Sequence, residues 1–469
     1  MEASDQQQVR VRRCNIKCCF HVAGCLPRWP MLLSQHFAAH QARKMINELP
    51  HVPPSVWLLL DAVGPAAKTW SNARKRVKEM LPDLRMQSEV YQAESFSERF
   101  QAAPTEFDIY LDGPLDLFSP RSCRNPECRS AQAQRLMRSM GLLADRVWLT
   151  DHLTERFVRF GRATNAKLDD AVLDGLLLWE LFPMIAAGII KFRSPIVPAC
   201  PSCIEHFDDV VGATAATLLD EFADQVVVRR PGDGTCVVDT GSFYEPQTSM
   251  FAFEKDFDSS LSQRDVAEQQ ITMAVHSALW TARDAAAGGG AVFSNSRIGL
   301  FGLLRQEGRV VVGHQLRLLD NARDLQLPWV SDLNAHQILQ LREEASKALP
   351  RFRELIASAL NVNPQKTSVS SPSEVVTELR EQATELRSEL ELVERHALRY
   401  WKSGYALLGL GLSAYGVATD QVMPAVAGLL PVLQLLMNHK AGHEKDADAL
   451  TRRPGYVLVK AQDLLAHAH

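Results

Sequence analysis

The sequence predicts an α+β, mainly α fold: an α-rich body with a few short strands, then a long coiled-coil-like helix and an apolar helical hairpin. Three observations lead there. Helical periodicity dominates from about residue 52 onward, interrupted by brief β-type runs with turn residues after them. A heptad pattern follows a Pro/Ser-rich linker. Two long runs without a formal charge follow the heptads. Six segments result: an irregular N-terminal stretch at 1–51, the body at 52–362, a linker at 363–373, the heptad helix at 374–402, the hairpin at 403–438 and a tail at 439–469.

The composition fits globular body and helices alike. With 46% hydrophobic and 23% charged residues, the chain is neither wholly disordered nor a polytopic membrane protein. Its net charge of −4 excludes a globally basic nucleic-acid binder, so no nucleic acid is expected as a partner.

Within the body, Ala66 to Met80 reads as a helix. Phe107-Asp108-Ile109-Tyr110-Leu111 reads as a strand stopped by Asp112-Gly113-Pro114. A helix over Ala131 to Ala144 leads to a short strand at Arg146-Val147-Trp148-Leu149. Leu168 to Ala187 is strongly apolar, but Asp169, Asp170, Asp174 and Glu180 mark it as a buried soluble helix. Gly188 caps its end before an exit strand, Ile189 to Phe192. Residues 225–240 form a hairpin around Pro231-Gly232-Asp233-Gly234, and a helix covers Arg264 to Ala286. Gly288-Gly289-Gly290 follows that helix instead of preceding one, and no Gly-Lys-Ser/Thr follows. A helix-terminal loop is therefore expected there, not a phosphate cradle, even with Ser294, Asn295 and Ser296 beyond it. Asn334 is an N-cap with Gln337 at the reciprocal position and Leu333 and Ile338 as a hydrophobic staple. Pro350 ends that helix before Phe352 to Leu360 resumes.

The heptad segment carries Val376, Ala383, Leu390 and Ala397 in one seven-residue series and Leu379, Leu386, Val393 and Tyr400 in the other. This seam implies self-association or a partner helix through Val376, Leu379, Leu386, Leu390 and Val393, or docking on the chain's own body. Ser403 to Thr419 and Gln421 to Asn438 are then free of formal charge, separated by Asp420. Their length is at the lower limit for membrane helices, and Gly404, Gly409, Gly411, Gly416, Pro424 and Pro431 suit a bundle better than an isolated helix. Membrane contact through 403–438 is one expectation and a buried hairpin the other.

Eight of the nine cysteines fall in clusters, and Cys236 stands alone. With no early apolar signal region, a cytoplasmic, reducing location is expected, where clustered thiols indicate metal more often than disulfides. Cys123-Arg-Asn-Pro-Glu-Cys128 and Cys200-Pro-Ser-Cys203 each place two sulfurs around a turn. Cys123, Cys128, Cys200 and Cys203 together would make a closed, structural zinc site. Cys14, Cys18, Cys19, His21 and Cys25 have no recognisable ligand spacing.

One further motif is Val237-Val238-Asp239-Thr240-Gly241-Ser242, with Val310-Val311-Val312-Gly313 later. It resembles the active-site element of aspartic proteases, especially the retropepsin-like ones. The resemblance implies a hydrolase in which Asp239 of two chains share a proton to activate water. It covers this hairpin and Val310 to Gly313, which resembles that family's later apolar-apolar-Gly element, and the helix at Arg264 to Ala286 departs from that all-β family. The expected function is therefore a non-catalytic interaction or membrane-associated protein with a structural zinc. The alternatives are the hydrolase using Asp239 and a soluble scaffold with its hairpin buried.

Overall fold

In a computed structural model, the structure describes residues 52–94, 107–360, 373–391 and 448–467. Within these, short stretches at 65–66, 120–121, 123–124, 196–198, 233, 245–248, 254–259, 306–316, 321–326 and 328 are excepted. Among the described residues the chain is mainly helical with a few short strands, in agreement with the class read from sequence. The strand arrangement is what sequence did not supply. Five strands form one parallel sheet: β1 (Asp108–Leu111), β2 (Arg146–Thr150), β3 (Ile190–Arg193), and, after a long excursion, β7 (Ala291–Ser294) and β8 (Arg317–Asp320), in the order β3-β2-β1-β7-β8. The excursion contains a separate antiparallel sheet of β4 (Val227–Arg229), β5 (Thr235–Asp239) and β6 (Ser249–Phe253).

Strands β1 and β7 are short and buried on both faces, as in parallel sheets covered by helices, while β2 alternates buried and partly buried residues. Alternation along the strands divides the core in two. Ile109, Leu111, Val147, Leu149 and Phe293 join a large core. That core is built with α1 (Pro54–Val63), α2 (Trp70–Glu94), α3 (Pro126–Leu143), α5 (Asn165–Ala186), α9 (Ala335–Glu344) and α10 (Leu349–Leu360). Tyr110, Trp148 and Val292 face a second core formed with α6 (Pro201–Phe222), α7 (Gln263–Gly288) and α8 (Arg297–Arg305).

Local chemistry sets the helix ends. Asn125 accepts from Glu127 N at 2.9 Å and Pro126 opens α3. Ser262 and Asp265 form a reciprocal capping box on α7, and Asn334 and Gln337 form the expected one on α9. Leu333 and Ile338 are both fully buried beside it. Helix α9 ends at Glu344, and Pro350 sits in the first turn of α10, where its missing N–H costs little. Gly289 takes a left-handed φ of 69° at the end of α7, so the glycine run does terminate a helix. Its neighbours are fixed by packing: a Cβ on Gly288 would lie 2.1 Å from the Tyr110 hydroxyl, and one on Gly290 would lie 2.8 Å from Asp108 O.

The described part of the heptad segment is helix α11 over 373–391. Leu379 and Leu386 are fully buried in the large core, together with α12 (Tyr456–Ala466). Val376 and Leu390 pack against the same core, while Val393 lies outside the described residues. Gly455, just before α12, comes so close to α11 that an added Cβ would sit 2.6 Å from Gln382 Cβ. Arg387–Asp463 and Arg453–Glu389 flank the contact at 3.2 and 3.4 Å. The linker at 363–372 and the hairpin at 403–438 lie outside the described residues, as does 1–51. No described helix is long and apolar enough to cross a membrane.

Candidate functional site

In an open parallel sheet, adjacent strands whose connections run in opposite directions leave a crevice beyond their carboxyl ends. Here the chain runs from β1 outward through β2 to β3, then returns to β7 on the other flank of β1 and continues to β8. The switch point is thus between β1 and β7, where the residues are polar and buried. Asp112 follows β1 and is 1% exposed; Ser294 ends β7, Asn295 and Ser296 follow it, and all three are 0–4% exposed.

Asp112 is held from two sides. Ser277 Oγ, on α7, donates to its Oδ1 and Ser294 Oγ donates to its Oδ2, both at 2.7 Å. Ser294 Oγ in turn accepts from Ser296 N at 3.0 Å, and Ser296 Oγ accepts from Gly299 N at 2.9 Å, which seats the start of α8 at the end of β7. Gly113 takes a φ of 59°, so the chain turns sharply after Asp112. In the turn, Asp116 accepts from Phe118 N at 3.3 Å and from Thr150 N at 2.6 Å, tying the loop to the end of β2. Asp151 caps α4 (His152–Val158) by accepting from Thr154 N at 3.0 Å. Burial pushes the Asp151 carboxyl up to about 6, against the hydrogen bonds to Thr154 that favour its ionised form.

One polar atom of this set has no internal answer. Asn295 Oδ1 is buried and has no hydrogen-bond partner among the described residues. An unpaired buried carbonyl costs roughly 1–3 kcal/mol. It sits where this topology ordinarily places ligands.

The loop behind the site is anchored by a buried ionic triad. Asp174 of α5 receives Arg129 at 2.7 Å and also Arg156. Arg129 Nη2 further donates to Leu117 O at 2.6 Å, and Arg156 Nη2 to Phe118 O at 3.4 Å. The residues that sequence marked as interruptions of an apolar helix therefore include the one that holds the loop after β1.

The cysteines fall elsewhere. Cys128 lies in the first turn of α3 and Cys200 at the N-cap of α6, with Cys203 one turn into it. Cys123 lies outside the described residues. Cys200 Sγ and Cys203 Sγ are 3.1 Å apart and both residues are exposed. Hydrogen bonds from Ser202 and Cys203 bring the Cys200 thiol down to about 7, while the same contact raises that of Cys203. The four described cysteines are free thiols. Among the described residues no group of three or more His, Cys, Asp or Glu side chains could hold a metal ion; the expected zinc set includes Cys123, which lies outside them.

Asp239 ends β5 in the antiparallel sheet. Its Oδ1 accepts from Gly241 N at 3.0 Å, and Arg229 stands 3.6 Å from its Oδ2. Gly241 has a φ of 57° and lies so close to Gln225 O that an added Cβ would be 2.8 Å away. The Asp-Thr-Gly sequence thus serves a tight turn here. Val310 to Gly313 lies outside the described residues.

Sequence reading passed over Asp112 as a strand stop and considered Ser294, Asn295 and Ser296 only for a phosphate loop. The available signal was a polar triplet between a short apolar run, Ala291-Val292-Phe293, and an amphipathic stretch, which is a strand-turn-helix pattern. Comparison of the chain with protein-family models, with curated proteins and with solved structures found no match.

Proposed function

We propose that the body is a small-molecule-binding unit whose site lies beyond the carboxyl ends of β1 and β7. The observation that carries this reading is the unpartnered Asn295 Oδ1 within a buried polar set at the switch point of the sheet. The chemistry of the set favours a ligand that brings donors. Asp112 and Asp116 are carboxylates and Asn295 Oδ1 is an acceptor, so hydroxyl or amino groups, as on a sugar or nucleoside, complement them. The occluded surroundings strengthen each such hydrogen bond relative to one in water.

The test is thermal denaturation of the full chain with a panel of nucleosides and monosaccharides at millimolar concentration. A compound present at about 100 times its Kd stabilises the fold by about 2.7 kcal/mol. At least one member should raise the Tm of the wild type and leave Asn295→Leu unshifted. A shift that survives intact in Asn295→Leu, or a panel without effect on the wild type, sinks the reading.

A further inference from the structure

We infer that Cys200 and Cys203 form a reversible dithiol–disulfide couple at the exposed start of α6. Cys200 occupies the N-cap with extended backbone, φ −74° and ψ 155°, and Cys203 follows three residues later in the first helical turn. Cys203 N and Ile204 N both donate to Cys200 O, at 3.0 and 3.1 Å, which fixes the turn and holds the two side chains side by side. Their sulfurs are already 3.1 Å apart. A disulfide has an S–S distance near 2.05 Å, so closure needs an approach of about 1 Å. Pro201, Ser202 and Ile204 are exposed around the pair, so an outside disulfide can reach it. The turn is seated on the body: Phe207, one turn on, packs edge-on against His276 and Trp280 of α7 at 5.3 and 5.4 Å. Cys236 is buried and Cys128 half-buried, so neither shares this access.

The oxidant is a low-molecular-weight disulfide. One sulfur of the pair attacks it, forming a mixed disulfide and breaking the S–S bond of the reagent, and the released thiolate takes up the proton lost by the attacking thiol. The second sulfur then attacks the protein sulfur of the mixed disulfide, forms the Cys200–Cys203 bond and expels a second small thiol. Two protein thiols are oxidised by two electrons and one small disulfide is reduced to two thiols.

The experiment incubates the full chain, after elemental analysis for zinc, with oxidised glutathione and maps the products by mass spectrometry. The wild type should yield a peptide containing residues 200 and 203 that has lost two hydrogens, restored by dithiothreitol. Its formation should run at least about tenfold ahead of modification at buried Cys236, as exposure dictates. Cys200→Ser and Cys203→Ser should each stop at a glutathione adduct on the remaining sulfur, and Cys128→Ser should behave as the wild type. A wild type that stays reduced, or that carries only glutathione adducts, overturns the inference. Stoichiometric zinc that is lost in Cys200→Ser and blocks the oxidation also overturns it.

Discussion

The carboxylates at the strand ends are satisfied differently at the two edges of the parallel sheet. At the amino edge, carboxylates meet guanidinium groups. Arg146 pairs with buried Asp108 at 2.5 Å, and Arg353 of α10 pairs with Asp145 at 2.5 Å. Arg353 and Arg342 also donate to the carbonyls of Leu142 and Ala144, closing the end of α3. Burial, and then the neighbouring Arg353, lowers Arg342 to about 10. At the carboxyl edge, Asp112, Asp116 and Asp151 instead take hydroxyl and backbone N–H partners, and Asn295 Oδ1 is left over. The first edge satisfies itself and reads as structure. The second spends burial on polar groups that the fold does not fully use, which is where function is sought.

The largest effect should come from the ionic triad that holds the carboxyl-edge loop. Asp174→Ala removes the carboxylate that pairs with Arg129, which is 5% exposed, and frees the loop at Leu117 and Phe118. Breaking a buried pair by removing one partner costs roughly 3–5 kcal/mol. Urea denaturation should show a loss in that range. A loss below about 1 kcal/mol would mean that the loop, and the edge it forms, is held by something else.

The second effect is pH-dependent and belongs to the carboxyl edge. The folded carboxyl of Asp151 is raised to about 6 from an ordinary 3.8. The folded state therefore binds the proton more tightly than the unfolded chain. Its stabilising contribution is full below the ordinary value and is lost as pH rises through about 6. Two pKa units correspond to roughly 3 kcal/mol. Asparagine can still cap α4 but cannot ionise, so Asp151→Asn should flatten the fall in stability between about pH 4 and 6 and exceed the wild type at pH 7. Unfolding free energies measured by urea across that range decide it. Parallel curves for the two proteins would show that Asp151 titrates normally.

The contrast between the edges also explains what sequence could and could not reveal. Helices, caps and short strands depend on neighbours in the chain, and Asn334 with Gln337 or Pro231 to Gly234 announce themselves within a few residues. The order of the strands depends on contacts across long separations: β1 and β7 are adjacent, yet Asp112 and Ser294 are 182 residues apart. No periodicity carries that information. The heptads show the same limit from the other side. A seam at Leu379 and Leu386 specifies an apolar stripe but not its partner, and among the described residues α12 of the same chain helps to bury it. For the cysteines, the Cys200–Cys203 spacing was legible as two adjacent sulfurs, while the union with Cys123 and Cys128 required a tertiary contact that spacing cannot state.

The smallest effect tests the amino edge as a matter of fit. Gly290 precedes β7, and an added Cβ would meet Tyr110 Cε2 at 2.6 Å and the backbone carbonyl of Asp108 at 2.8 Å. Gly288 would meet Tyr110 chiefly at its hydroxyl. Burial pushes that phenol up to about 12, with Asp108 adding to the shift. Overpacking of this kind costs about 1–3 kcal/mol. Both Gly288→Ala and Gly290→Ala should destabilise in urea, but they should respond differently to Tyr110→Phe. Removing the hydroxyl relieves the 2.1 Å clash of Gly288→Ala and should recover most of its loss. It leaves the ring carbon and the carbonyl in the way of Gly290→Ala, whose loss should stand. Recovery of both would place the constraint in the phenol alone. Recovery of neither would place it in the backbone between α7 and β7, and the amino edge would then owe its closure to chain geometry instead of side-chain fit.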